Sequence, residues 1–540
     1  MPHDVAMRRW NGWGDESDGT RLSPAARRFI EARIGRATPT RDATLEAVVA
    51  AVAKSRLAAD PGLSTDPELR VRRARGQSFP DLVATRSGRL GAVPDAVARP
   101  AGAAEVRKLF ALARSAGARI VPWGGGTSVV GGVTTRALPD PVITVDLASL
   151  AGVRDVHQRS GLVTIGPAMT GPALADHLSP LDLVVGHEPQ SWELATVGGW
   201  VAARGAGLRS IGAGRIEQLF AGGTLEAPAG TLEMPPFPAS AAGPDLRQLV
   251  LGSEGRLGIL TEVVLRATPV PEVDRLDAWA VRDWASAQEA VRILARSRLG
   301  LSTLRLSTPA ETRTLLAFAG RSRGLDAVQA WLRVRRVAGD WSLLLIGTSG
   351  SKRVAKATRG EAGSIVKRLG GVPVPGVAKA WLATRFRSPY LRNALWAAGY
   401  GADTLETATD WSRVPALLAA LEASISGALA DRGERVHVMT HLSHAYPSGS
   451  SLYLTFLFRL AGDPDESLDR WAAIKRAASD TIVAEGGTIS HHHGVGTDHV
   501  PFLAAEKGEL GMAALASAVR TFDPDGLMNP GVLLADEGRG

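Results

Sequence analysis

The run Val121-Pro122-Trp123-Gly124-Gly125-Gly126-Thr127-Ser128 most narrows what this chain can fold into. Ala103 to Ala116 carries Val106, Leu109, Phe110 and Ala113 at helical spacing, with Gly117 as a C-terminal stop. Ala118 to Val121 then reads as a short buried strand, so the glycines stand where a strand ends. Three adjacent glycines leave backbone N–H groups bare, and an oxyanion such as a pyrophosphate can approach them closely; a tight surface turn uses the same residues. Two familiar phosphate loops are excluded. No Gly-Lys-Ser/Thr follows, as a Walker A loop requires. A dinucleotide-binding βαβ unit needs a helix directly after its glycines, whereas Gly131-Gly132 and the strand-like Val142 to Leu147 come next.

The 540 residues suffice for about three domains. Cysteine is absent, which excludes disulfides, a thiolate nucleophile, zinc–thiolate or iron–sulfur sites and cysteine-linked flavin, and fits a reducing, cytoplasmic setting. Met1-Pro2-His3-Asp4-Val5 lacks the pattern of a signal peptide, and no long uncharged apolar run predicts a membrane-spanning helix. The net charge of +8 admits an anionic partner, but the interleaved aromatics of RNA-binding proteins are missing, so no nucleic-acid partner is expected.

Composition shifts divide the chain. Residues 1–90 read as a helical, basic segment containing a helical run from Leu45 to Arg56. Residues 91–269 alternate short β-rich runs (Leu162 to Pro167, Leu183 to Gly186, Leu257 to Leu265) with glycine turns, as in an α+β domain. Pro269-Val270-Pro271 marks a boundary. Residues 270–484 alternate helices (Ala285 to Ser297, Ser364 to Leu369, Val414 to Leu429) with strands (Leu343 to Ile346, Leu452 to Leu460), and residues 485–540 return to glycine-rich chain and then helix.

Three further stretches, and a few single residues, could carry chemistry. Gly186 to Trp200, with His187, Gln190, Ser191, Thr196 and Gly199, sets small residues where a flat ring could approach; a strand-to-helix loop looks the same. Gly252 to Thr261 is a glycine-punctuated turn entering a strand. His491-His492-His493-Gly494 places imidazoles side by side, and on an extended strand only the first and third share a face, which favours acid–base or anion roles over a metal site. Tyr453 and Arg305 are polar residues in apolar strand-like runs, and His441 and His444 are lesser candidates for which a surface loop is the plain reading.

Taken in order, Pro122 to Ser128, His187 to Gly199, Gly252 to Thr261, Thr404-Leu405-Glu406-Thr407 and Ser490 to Gly496, with the opening Trp10-Asn11-Gly12-Trp13-Gly14, resemble the alkyldihydroxyacetonephosphate synthases. These are FAD enzymes of the vanillyl-alcohol oxidase and p-cresol methylhydroxylase group. The resemblance implies an α+β fold: a two-subdomain FAD-binding domain, an α+β cap domain over the flavin ring, a helical N-terminal segment and a C-terminal segment returning to the flavin. By similarity, Pro122, Trp123, Gly124, Gly125, Gly126, Thr127 and Ser128 wrap the pyrophosphate. Gln190, Ser191, Thr196, Gly199, Ala203, Arg204, Gly205 and Ala206 line the flavin. Glu254, Gly255, Leu257, Gly258 and Ile259 hold the adenine side or ring edge. The glycine loop has no histidine, so FAD is expected to be noncovalent, and no metal is expected. The family reaction exchanges the acyl chain of acyl-dihydroxyacetone phosphate for a fatty alcohol. Tyr453 matches the family's base, Arg392 and Arg305 its phosphate-binding arginines, and His187 and His491 to His493 its active-site histidines. A small-molecule or lipid-phosphate substrate follows. A lipid substrate makes Trp331 to Val337 a candidate for peripheral membrane contact, although a solvated helix face reads the same way and is the plainer reading, and a homodimer is compatible with either. The C-terminal Asp523-Pro524-Asp525-Gly526-Leu527-Met528-Asn529-Pro530 is more like flavin 2-hydroxyacid dehydrogenases, and Gly538-Arg539-Gly540 is no peroxisomal address, so D-lactate or glycolate-type oxidation stands as the alternative.

Overall fold

The computed structural model describes residues 8–320, 323–337 and 339–536. Both chain ends read above for targeting signals lie outside these residues.

Short, well-capped helices open the chain. Ser23 caps Pro24–Ile34, and Ser78 and Asp81 form a reciprocal capping box on Phe79–Ser87. The helix starting at Leu45 ends at Ala50, short of Arg56. Arg56 is drawn away instead: its backbone N–H and guanidinium bind Asp95, and its remaining donors reach the carbonyls of Leu138, Pro139 and Asp140.

Three sheets of three or more strands follow. The first runs Leu63–Ser64, Ala96–Ala98, Val142–Asp146, Arg119–Trp123 in spatial order, with the last three strands parallel. Its crossover helix, Ala103–Ser115, buries Val106, Leu109, Phe110 and Ala113 against Ile120, Ile143 and Val145. The second sheet is antiparallel, built around Leu162–Ile165, Ile259–Arg266 and Phe220–Ala227.

The third sheet, seven-stranded and antiparallel, spans residues 273–459. One half of it carries Leu301–Ser307, His437–Ala445, Gly449–Arg459 and Tyr400–Asp410 side by side, with Tyr400–Asp410 at the edge. Alternation sorts its two faces: Leu452, Leu454 and Phe456 are fully buried in the main core, while Tyr453, Thr455 and Leu457 face a cavity. Register places Glu406 opposite Tyr453 and Tyr453 opposite His441, so three functional groups stand in one row across three strands. Helices Trp284–Arg296, Lys352–Arg368, Val414–Gly427 and Pro464–Ala484 contribute to the core. The segment Val414–Arg432 is long and apolar enough to cross a membrane, contrary to the sequence reading, yet Val414, Leu417, Leu421 and Ile425 are buried in that core. The chain ends by returning to its start: Met528 bridges Ile120, and Ile120 and Leu527 share a backbone hydrogen bond.

Candidate active site

A cavity of about 420 Å³ runs from the glycine loop to the seven-stranded sheet. On one side lie Gly124, Gly125 and Gly126, against the segment ending at Thr196. A Cβ on Gly124 would stand 2.5 Å from Thr196 Oγ1, and one on Gly125 would collide with the Leu194 carbonyl. Gly126 has φ +63°, which L side chains rarely adopt. Gly125→Ala is therefore expected to push the loop off Leu194 and reduce bound flavin at least tenfold, read from the visible absorbance of the purified protein.

The structure gathers most of the sequence candidates here. Pro122, Gly124 to Ser128, Gln190, Ser191, Thr196, Gly199, Ala203, Gly205, Ala206, Glu254, Gly255, Gly258 and Ile259 line the cavity, as do His187, Arg305, Arg392, Tyr453, His492 and His493. Four candidates do not. Trp123 follows Pro122 on a strand and so points to the opposite side. Arg204, at φ 52°, directs its guanidinium to Glu217 and Gln248. Leu257 is 2 % exposed in the main core. His491 faces away, bonded to Arg215 and Tyr446.

The histidine run is a turn rather than the strand expected from sequence, and a carboxylate shapes it. Glu406 accepts the backbone N–H groups of His491 (2.5 Å), His492 (3.1 Å) and His493 (2.8 Å), and the Ser490 hydroxyl (2.9 Å). Burial disfavours its charge, but the imidazoles of His493 and His491 and these N–H donors outweigh burial and hold it below the usual carboxylate range. The next residues lean on a second carboxylate. Glu254 accepts from Val495 N (2.6 Å) and Gly496 N (2.8 Å), yet burial dominates there and lifts it to about 7.

Hydrogen bonding fixes the histidine tautomers. Arg215 Nη1 lies 2.7 Å from His491 Nε2 and Tyr446 Oη 2.6 Å from the same atom. A guanidinium only donates, so that nitrogen carries the lone pair and the proton resides on Nδ1. Nδ1 of His491 then donates to Nδ1 of His492, 2.9 Å away, and His492 keeps its proton on Nε2. Glu406, His491 and His492 offer ligand atoms within 4.8 Å of one another, but the carboxylate is already saturated with donors and the His491 nitrogen faces a guanidinium, a poor setting for a cation.

The phenol of Tyr453 is pushed up to about 12, first by burial and then by Glu406 and Asp403, against a lowering hydrogen bond with Thr404. It is a hydroxyl at neutral pH and takes up a proton only by passing its own on. Its ring stacks on His441 at 4.8 Å. Arg392 gives Nη1 to the Gln77 carbonyl at 2.8 Å, while its buried Nη2 has no hydrogen-bond partner and Asp403 stands 3.5 Å off. Arg305 is committed to Glu311 (3.0 Å) and His441 (3.1 Å), two residues that sequence reasoning did not place in the site. His441 and His444 are on a buried strand rather than a surface loop, and both line the cavity. His187 packs on Trp200 with both ring nitrogens unpaired.

Burial is the largest cause that depresses eight of the described histidines: His187, His444 and His499 to about 3, His437 to about 4, and His441, His491, His492 and His493 below the ordinary 6.5. Unfolding lets each take up a proton. Their stabilisation is complete above about pH 6.5 and is lost as pH falls toward the folded-state values. Glu254 at about 7 and Asp498 at about 6, with Asp81, Glu422 and Asp523 also raised, work the other way, binding protons first in the folded state. The imidazoles outnumber them. The melting temperature is therefore expected to fall steeply between pH 6.5 and 5; a flat profile there would show that these rings are not held neutral.

The residues present fit FAD. The loop has no room for side chains, the cavity continues past Thr196 as a lining of small residues, and unpaired donors wait on Arg392 and His187. The C-terminal motif that suggested hydroxyacid oxidation proves structural: Asp523 accepts the N–H groups of Leu527 and Met528, and Asn529 ties Gly132 O to Glu254 O. Residues 94–233 match the family described as FAD binding domain, and 270–533 that described as FAD linked oxidases, C-terminal domain. The alkyldihydroxyacetonephosphate synthase of Trypanosoma brucei brucei is 30% identical over 85% of this chain and 76% of its own length. A solved alkyldihydroxyacetonephosphate synthase superposes with a TM-score of 0.83 at 25% identity, over 97% of this chain and 99% of that one. The mitochondrial D-lactate dehydrogenase [cytochrome] of Arabidopsis thaliana is 24% identical over 82% of this chain and 74% of its own. At 30% identity and with shared architecture from end to end, this chain belongs to the alkyldihydroxyacetonephosphate synthase family and is an FAD-dependent enzyme.

Proposed function

We propose that the protein exchanges the acyl chain of an acyl-dihydroxyacetone phosphate for a fatty alcohol, forming an ether lipid with noncovalently held FAD. One observation carries the reading: the polar wall of Tyr453, Arg392 and His492 continues into an apolar groove of Leu315, Phe318, Leu391, Leu395 and Leu457. An alkyl chain needs such a groove, and a two- or three-carbon hydroxyacid does not.

FAD, when bound and reduced, supplies an electron-rich ring face for the reacting carbon. The chain's residues do the rest. Arg392 offers Nη2, which has no hydrogen-bond partner and only a long ion pair to Asp403, to the substrate's phosphate or carbonyl oxygen, which a planar guanidinium suits. His492, fixed with its proton on Nε2, donates to the departing carboxylate. Tyr453 moves a proton at its hydroxyl, between the substrate and Thr404. Arg305, held by Glu311 and His441, keeps that end of the wall rigid. Membrane contact is proposed through helix Arg323–Val334, where Trp331 and Val334 are exposed near Arg333 and Arg335.

Labelled fatty alcohol and acyl-dihydroxyacetone phosphate given to flavin-replete protein should yield a labelled ether lipid. No product, together with bleaching of the flavin by D-lactate under anaerobic conditions, would replace this reading with hydroxyacid oxidation. Denaturation should release the flavin into solution.

A further inference from the structure

The glycine loop has a second side. Gly126 also borders a pocket of about 20 Å³ that has nothing to do with the reacting wall; Trp10 and Trp123 enclose it, and Arg8, Arg9, Arg72, Arg73 and Arg75 converge on it. Among the described residues three carboxylates pair with the five guanidinium groups, Glu68 with Arg72 at 2.8 Å, Asp146 with Arg73 at 3.0 Å and Asp81 with Arg75 only at 3.9 Å, and Asp15 acts on the charge of Arg8 without pairing with it. Asp146 is shared with Arg99 at 2.9 Å. Arg8 and Arg9 form no ion pair among the described residues, and the buried Nε atoms of Arg9 and Arg75 have no acceptor. Massed like charge with unused donors in a concave, half-dry setting is costly unless an anion joins it. Burial and the charge of Arg73 already depress Arg8 to about 10.

We infer that this pocket binds one tetrahedral oxyanion of the phosphate class. Its size admits a single small group and no nucleotide. Guanidinium forks favour paired oxygens over a halide. Such an anion would join the segment at Arg8 and Arg9 to the stretch 72–77 and to the back of the flavin loop, so that anion occupancy and flavin affinity reinforce each other.

The test uses the full chain with FAD bound, in chloride buffer at fixed ionic strength, titrated calorimetrically with inorganic phosphate and, in a second arm, with glycerol phosphate. One saturable site per chain is expected, and the arm that binds more tightly distinguishes free phosphate from a phosphorylated head group. Arg9→Met should weaken binding about tenfold or more and Arg9→Lys less, with flavin content unchanged in phosphate-free buffer. Arg8→Met should behave like Arg9→Met and serves if that variant does not fold. The inference is overturned by the absence of saturable heat in both arms, by equal affinity in parent and both Met variants, or by phosphate displacing flavin, which would assign the pocket to the cofactor's own diphosphate.

Discussion

Tyr453→Phe is expected to lower kcat/KM for the alcohol exchange by about 10²–10⁴-fold, with flavin content and melting temperature close to the parent. The ring would stay where it is, stacked on His441 at 4.8 Å and near His492 at 5.9 Å, because the substitution removes one oxygen and no packing surface. What disappears is a hydroxyl that burial and two carboxylates keep protonated up to about pH 12, and with it the proton route past Thr404. Turnover within a factor of about three of the parent would remove Tyr453 from the chemistry, since a proton-transfer group is worth far more. A fall in turnover accompanied by loss of flavin would instead mark a packing role.

Glu406→Ala is expected to have the largest effect on stability. It leaves the N–H groups of His491, His492 and His493 and the Ser490 hydroxyl without an acceptor in a dry interior. At about 1–3 kcal/mol for each of the four orphaned donors, the loss is about 4–12 kcal/mol, much of the stability a domain possesses. Glu406→Gln keeps one acceptor oxygen and should lose about half as much. The parent's Glu406 is held below the ordinary carboxylate range, so its stabilisation is complete above the ordinary glutamate pKa and is lost as pH falls through the lower folded-state value. The glutamine variant should lack that acid-dependent component. Urea unfolding at pH 7 and pH 4 measures both effects, and equal midpoints for parent and alanine variant would contradict the assignment.

Much of the site was legible before any coordinates. The glycine loop, Tyr453 and the histidine run announce themselves because each is a local departure from its surroundings: glycines where a strand ends, a polar side chain in an apolar run, adjacent imidazoles; the roles of Thr196 and Arg392 come from the family resemblance alone. Side-chain direction was harder. Trp123 and Pro122 are neighbours in a motif yet point to opposite sides of one strand, and the three histidines, read as a strand, form a turn because a residue 85 positions earlier gathers their amides. No local pattern marks Glu406 as the acceptor, or Glu311 and His441 as the holders of Arg305, since these partners meet only through sheet register. The pocket behind the loop was equally invisible, being assembled from two basic segments more than 60 residues apart.

The turn from Ser490 to Gly496 is gripped at both ends by carboxylates of different origin: Glu406 from the seven-stranded sheet and Glu254 from the flavin-binding part. It is thus a rivet through two plates. Any swing of the cap that admitted a long-chain lipid would have to spare this fastening, and would have to pivot around it rather than across it.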